Sequence, residues 1–302
     1  MPFCVCALSI LQSVESPVVH PIAQISVSPE CSPHSKALRC TQRGSYRLQW
    51  KVRRQDTEHN FIHYEVNGHA EAHAEKVILF VGVAGSGMEL LLDFISTFLC
   101  GFSEEDKCQV PFPKHSADDE MMPITAYIFP RLHCPYALTI VTVPAARFAD
   151  EVPPAMSSVT NECLLDSIKS IFFGLNYIDR LHGIAFVTNA SKNTITPAEQ
   201  GILESMRCIF GDDIHRNVFI LSTFADSRQP NAVTAVRRAG IPFKEAFQFN
   251  CSPLLPVGDC GYAEFDKLNW QMSENSVRAF LRLVEEIPCV NLQCTCTAVE
   301  NL

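Results

Sequence analysis

Apolar residues along this chain alternate between short continuous runs and longer amphipathic stretches, and the alternation becomes regular from Lys76 onward. Lys76–Val83 (KVILFVGV) is almost wholly apolar, the pattern of a central parallel strand buried on both faces. A glycine-rich turn follows, and Met88–Cys100 then carries a helical period. Ile124–Phe129 and Leu138–Val143 read as neighbouring strands, Asn161–Phe173 as a helix and Gly183–Thr188 (GIAFVT) as a further strand. Pro197–Phe210 reads as a helix with proline at its start, where the missing N–H costs nothing. Val218–Thr223 (VFILST), a helix around Val233–Ala239 and a short strand Ala246–Asn250 continue the series. The last predicted element is an amphipathic helix, Ser276–Ile287, with Val277, Phe280, Leu281, Val284 and Ile287 at helical spacing. Strands that alternate with helices require crossovers, and crossovers build a mainly parallel sheet whose ligands sit at the carboxyl ends of the strands.

The region before Lys76 has a different character. Tyr46–Val52 and Phe61–Val66 are β-leaning runs separated by a polar stretch, which predicts a hairpin. Residues 1–45 hold Pro17, Pro21, Pro29 and Pro33 among many Ser and Cys residues and sustain no period. The expected organisation is a loosely ordered leader (1–45), a hairpin extension (46–75) and an α/β domain (76–302).

Composition narrows the function classes. Charged residues are 19% and apolar residues 47%, which excludes disorder across the whole chain. Twenty-four basic against 33 acidic residues give a net charge of −9, so the electrostatic footprint of a nucleic-acid binder is missing. No apolar run is long enough to span a bilayer, and no basic residue precedes the apolar stretch at 1–14 as a signal peptide would require. The 14 cysteines lack a Cys-x-x-Cys pair or framework spacing, which predicts reduced thiols and an intracellular, cytoplasmic setting.

The candidate chemistry centres on Gly82-Val-Ala-Gly85-Ser86-Gly87-Met88-Glu89. The glycine spacing and the strand–turn–helix context are those of a phosphate-binding loop, G-x-x-x-x-G-K-[ST]. In such a loop successive backbone N–H groups and a helix N-terminus face the anion. The two chemical positions differ here. Met88 stands where a lysine would reach the β- and γ-phosphates, and Glu89 stands where a hydroxyl would hold Mg²⁺. The competing reading is a tight turn that uses glycine for geometry alone.

Later segments extend the pattern. Leu138-Thr-Ile-Val-Thr142-Val-Pro-Ala145 resembles the "LTIIDTPG" segment of septin-like and immune-associated (GIMAP-type) GTPases. Gly183–Ser191, Ile195–Gln200 and Phe210–Asp213 resemble their fourth-strand region and its continuation. Asn217–Asp226 resembles "NIFILVTFAD", where these proteins recognise guanine, and Phe249-Asn250-Cys-Ser252 resembles the following "FNNS". The set covers about residues 76–290 in the right order.

The resemblance implies a three-layer, mainly parallel α/β fold of P-loop GTPase type with an N-terminal extension. It implies guanine contacts at Thr223, Asp226, Asn250 and Ser252, and a metal-binding switch position at Thr125. This chain departs from the family at Met88, at Glu89, at Thr142 (an Asp that positions Mg²⁺) and at Ala145 (a Gly that touches the γ-phosphate). Phosphoryl transfer depends mainly on positioning and charge neutralisation. The expected protein is therefore a pseudo-GTPase with no catalytic residue, no required cofactor, and weak or absent binding of GTP, GDP and Mg²⁺. It would serve as an interaction module for a protein partner or a second copy of itself. The alternative is a GTP-binding protein with slow hydrolysis. A metal-dependent hydrolase has only His59, His63, His69 and His73 behind it, and these read as solvated polar residues. The loose Cys31, His34, Cys40 set and the Cys294, Cys296 pair are not expected to ligate a metal.

Overall fold

The structure is a computed structural model that describes residues 28–29, 46–48, 50–66, 74–106, 109–113, 123–132, 134–143, 165–226, 228–255 and 263–291. Strand β1 (Ser28–Pro29) pairs with β2 (Tyr46–Arg47), and β3 (Trp50–Asp56) turns back into β4 (Phe61–Val66). Strand β5 (Glu75–Gly82) leads into helix α1 (Met88–Leu99), and β6 (Ile124–Phe129) and β7 (Ala137–Thr142) follow. Helix α2 (165–174) ends in a π-type turn over Ser170–Gly174. After it come β8 (Arg180–Leu181), β9 (Gly183–Asn189), α3 (Pro197–His215), β10 (Val218–Thr223), α4 (Asn231–Arg238) and β11 (Glu245–Gln248). Helix α5 (Ala263–Glu286) precedes β12 (Val290–Asn291), which pairs with β8.

Eight strands form one sheet in the order β11-β10-β9-β5-β7-β6-β4-β3. All neighbours run parallel except β6 against β7 and β3 against β4. Alternate residues of each strand feed two cores. Ile78, Phe80, Ile140 and Leu221 pack under α1 and α5, while Val77, Leu79, Val141 and Ile220 pack under α2, α3 and α4. Helices on both faces make the three layers. This is the three-layer, mainly parallel α/β architecture that the alternation of strands and helices predicts.

The hairpin extends that sheet. Strand β4 pairs in parallel with β6 from Phe61↔Ile124 to Glu65↔Ile128. Phe61 and Val66 are buried, and the Trp50 ring packs among Phe112, Tyr127 and Phe129. At the hairpin tip the Asp56 carboxylate accepts the Glu58 and His59 N–H groups and the Tyr177 hydroxyl, which ties the turn to the chain after α2.

Three elements differ from the sequence reading. Strand β3 starts at Trp50 and runs to Asp56 through residues whose polarity suggested a loop; it is an edge strand with Lys51–Gln55 exposed, so burial imposes no alternation there. Helix α3 continues to His215 past a break at Gly211, whose φ of 73° is outside helical geometry. Helix α5 begins at Ala263, 13 residues before Ser276; in its first half Trp270 is buried while Phe265 and Leu268 are exposed, so the sequence there does not carry the apolar period that marks the second half. The helix predicted over 161–173 is seen from residue 165; its start lies outside the described residues.

Candidate functional site

The centre of the sheet sets the site. Strand β5 lies between β7 and β9, and its carboxyl end releases the chain into the turn 83–87 and then α1. Two glycines are required there for different reasons. A Cβ on Gly82 would sit 2.8 Å from the Val187 carbonyl oxygen of β9, so the close strand approach excludes any side chain. Gly87 caps α1 with φ 76°, a left-handed conformation that side chains resist. The turn closes through Ser86 N–H donating to the Val83 carbonyl at 3.1 Å.

Strand β10 holds this turn from the side. The Thr223 hydroxyl lies within hydrogen-bond reach of the Ser86 carbonyl and, at 3.2 Å, of the Thr188 carbonyl. One side chain therefore links β10, β9 and the glycine-rich turn. The next residue, Phe224, has φ 53° and is 53% exposed. Its ring lies against Gly87: a Cβ there would be 2.8 Å from Phe224 Cε2.

The predicted guanine positions sit on adjoining loops tied to one another. Ala225 N–H donates to the Phe249 carbonyl at 3.0 Å, and the Asn250 amide donates to the Ala225 carbonyl at 2.9 Å. Asn250 Oδ1 accepts the Ser252 N–H at 3.1 Å, and Ser252 Oγ accepts from the Asn269 amide of α5 at 3.3 Å. Ser273 exchanges hydrogen bonds with the Asn250 backbone, at 2.8 and 3.0 Å. Asp226 is exposed, and its Oδ1 accepts the Arg228 N–H at 3.2 Å, which caps the following turn. Thr223, Asp226, Asn250 and Ser252 thus occupy one connected pair of loops beside the glycine-rich turn.

The positions predicted to face phosphate are different. The Met88 side chain is only 7% exposed and belongs to the core beneath α1 and α5. Glu89 is exposed in the first turn of α1, where a carboxylate stabilises the helix dipole. Residues 83–91 contain no lysine or arginine. Thr125 and Thr142 face each other across β6 and β7, and the Thr142 hydroxyl donates to the Thr125 carbonyl at 3.3 Å. Thr125 is buried inside β6, its hydroxyl donating to the Pro123 carbonyl at 3.2 Å. Thr142 pairs with Phe80, two residues before Gly82, which puts it next to the turn. Ala145 lies outside the described residues.

Two features escape sequence reasoning. Phe224 reads as the apolar end of a strand, and only its backbone angle and exposure distinguish it. Asp93 interrupts the apolar run of α1 and could have been noticed. It is buried, and its carboxylate accepts the Phe112 N–H at 2.9 Å and the Gln109 amide at 3.1 Å.

The histidine set does not assemble among the described residues. His59 contacts Asp56 at 3.0 Å. His63 lies in β4, and burial together with Arg53 and Arg54 pulls its pKa down to about 4. His69, His73, Cys31, His34, Cys40, Cys294 and Cys296 lie outside the described residues, and among those described no group of three or more His, Cys, Asp or Glu could hold a metal ion. No described helix is long and apolar enough to cross a membrane.

In sequence, no protein family and no curated protein matches this chain. In structure it is similar to Toc33 from Arabidopsis thaliana in complex with GDP and Mg²⁺, with 11% identity over 72% of this chain and 88% of that one and a TM-score of 0.45. Toc33 in complex with Mg²⁺ and GMPPNP gives 10% identity, the same coverage of both chains and a TM-score of 0.43. GDP-bound Roco2 RocCORdC from Methanosarcina barkeri gives 13% identity over 76% of this chain and 54% of that one, with a TM-score of 0.37. The fold class stands on this chain's own strand order and register.

Proposed function

We propose that this chain is a P-loop GTPase-type domain that has given up phosphoryl transfer and acts as an interaction or scaffold module. The observation that carries the reading is the placement of Met88. Its side chain is core, at the position where the resemblance expects the phosphate-binding lysine, and the neighbouring position carries the exposed Glu89. Transfer of a phosphoryl group needs charge neutralised on the β- and γ-phosphates. A turn without a cation, beside a carboxylate, opposes that charge instead. Thr142 in place of an aspartate removes the group that would position Mg²⁺ through water. Neither GTP nor Mg²⁺ is required for such a role. The partner surface is expected to be protein, a second copy included; Phe265 and Leu268 on α5 are exposed apolar residues suited to it. Calorimetric titration with GDP, GTP and ATP, with and without Mg²⁺, tests the reading: tight, Mg²⁺-dependent GTP binding would overturn it.

One set of observations favours the second reading, a GTP-binding protein with slow hydrolysis. Gly85 and Gly87 of the turn are left-handed, the Thr223 hydroxyl reaches the Ser86 carbonyl, and Asn250 bonds the Ala225 carbonyl and the Ser252 N–H, which supports a turn and loops able to receive a nucleotide. The same titration separates the two.

A further inference from the structure

The outer face of α5 leaves large apolar side chains to solvent, and the charges beside them are spaced to match themselves. We propose that this face pairs with the same face of a second copy of the chain, antiparallel, about a twofold axis at the level of Ser273. The pairing rests on the reading of the chain as an interaction module, whose partner it names.

Burial defines the face. Trp270, Val277, Phe280, Leu281 and Val284 fix which side of α5 enters the core. The opposite side presents Leu268, 61% exposed, one turn from Phe265, 66% exposed. Met272 is partly buried and Ala279 exposed further along that side. Helical geometry places Leu268, Met272 and Ala279 within about 40° of one another around the axis. A surface helix of a globular protein normally reserves this side for polar residues. Among the described residues the other large apolar side chains left exposed, Val52, Phe224 and Leu255, lie outside helices.

The charges select the partner. Glu264 and Arg282 are exposed and stand about five turns apart, so they lie on one line along one flank of the apolar strip. A twofold axis perpendicular to the helix at Ser273, midway between them, brings Glu264 of each copy to Arg282 of the other. The same operation sets like flank against like flank. Leu268 then meets Ala279, whose small side chain leaves room for it, and Phe265 comes beside the partly buried Leu283. One register thus satisfies both the ion pairs and the apolar contacts, a match that a foreign partner would not require. A chain of net charge −9 repels its own copies, and the two ion pairs offset that repulsion at the contact. A single helix pair covers less than the about 1,600 Å² of a standard interface, so the dimer is expected to dissociate in the micromolar range.

Sedimentation velocity of the full chain across the micromolar range tests this, with thermal melts to show that each variant is folded. A concentration-dependent monomer–dimer equilibrium is expected, unchanged by GTP and Mg²⁺. Leu268→Glu is expected to weaken it by more than about tenfold. Glu264→Arg or Arg282→Glu alone sets like charges together at both ends and is expected to weaken it about tenfold. Glu264→Arg combined with Arg282→Glu is expected to restore it to within about twofold of the wild type. A chain that stays monomeric at several hundred micromolar, or a dimer indifferent to Leu268→Glu and to the single charge reversals, would overturn the pairing and leave the interaction-module reading standing with another partner. Failure of the combined reversal to rescue dimers weakened by each single one would overturn the antiparallel register and with it the pairing. Tight, Mg²⁺-dependent GTP binding would instead overturn the module reading and leave the α5 contact standing.

Discussion

The Asp93 carboxylate accepts the backbone N–H of Phe112 across 19 residues of chain, at 2.9 Å, in a buried setting. One turn further along α1, the Thr97 hydroxyl accepts the Val110 N–H at 3.0 Å and donates to the Asp93 carbonyl at 2.7 Å. Phe112 then enters the ring cluster of Trp50 and Tyr127. Residues 109–112 of the α1–β6 connection are therefore fixed by α1 and by the hairpin. This stretch takes its order from a carboxylate of the chain itself.

Asp93→Ala leaves the Phe112 N–H buried without an acceptor. A loss of about 3 kcal/mol is expected, with Thr97→Val costing about 1 kcal/mol. Urea denaturation measures the stability, and amide exchange at Val110 and Phe112 should rise in Asp93→Ala. Exchange at those two amides should be unchanged by GTP and Mg²⁺ in the wild type.

Acid should loosen the fold through its buried histidines. His182 is buried, and its Nδ1 accepts the Val77 N–H at 3.0 Å, so the ring must be neutral at that atom. Burial, with Lys76 and Arg180 nearby, holds its pKa at about 4 against 6.5 unfolded. The unfolded chain then binds more protons between those values. The stability is present above about pH 6.5 and is lost as the pH falls toward 4. At about 1.4 kcal/mol per pKa unit, His182 accounts for about 3 kcal/mol over that window, and His63 acts in the same direction. Urea midpoints at pH 4.5 and 7.5 should differ accordingly. His182→Gln, which can accept the same hydrogen bond without titrating, should flatten the slope.

Truncation should separate the leader from the hairpin. Removing residues 1–45 takes away β1 and leaves β3, β4 and their anchors in the main sheet. Soluble, cooperatively melting protein is expected. Removing residues 1–67 strips Phe61, Val66 and Trp50 and uncovers the β6 edge, so aggregation is expected. Soluble yield and the thermal transition of the two truncations check this.

Restoring charge at the turn requires more than one substitution. Met88→Lys alone should not give tight GTP binding, because the new side chain starts in the core and meets Glu89 when it emerges. Met88→Lys with Glu89→Ser and Thr142→Asp should improve affinity for a non-hydrolysable GTP analogue about tenfold or more. Thr142→Asp also gives up the hydrogen bond to the Thr125 carbonyl, a cost of about 1 kcal/mol. A folded triple variant that binds no better than wild type would mean that the glycines serve only the turn.

Much of the fold was legible because burial on both faces leaves continuous apolar runs. KVILFVGV, GIAFVT and VFILST are central strands in the structure, and their alternation with helices was enough to require a parallel sheet. The helix start at Thr196-Pro197 was legible for a local reason. Thr196 and Glu199 form a reciprocal capping box, and proline occupies the first helical position. Elements with weak burial were less legible: the edge strand β3 and the first half of α5 lack the periodicity that burial imposes. At the site, residue identity revealed the glycines, Met88 and Glu89. It did not reveal that Met88 is core, or that Phe224 turns left-handed against Gly87, because both depend on contacts between segments far apart in sequence.

GTP turnover by the highly purified full chain with Mg²⁺, followed as released phosphate, tests the central claim most directly. With Met88 in the core, Glu89 at the helix start and Thr142 at the strand end, the account predicts no hydrolysis above the buffer rate, and no change on Thr125→Ser or Asp226→Asn. Phosphate release that is clear in the wild type and abolished by either substitution would contradict it.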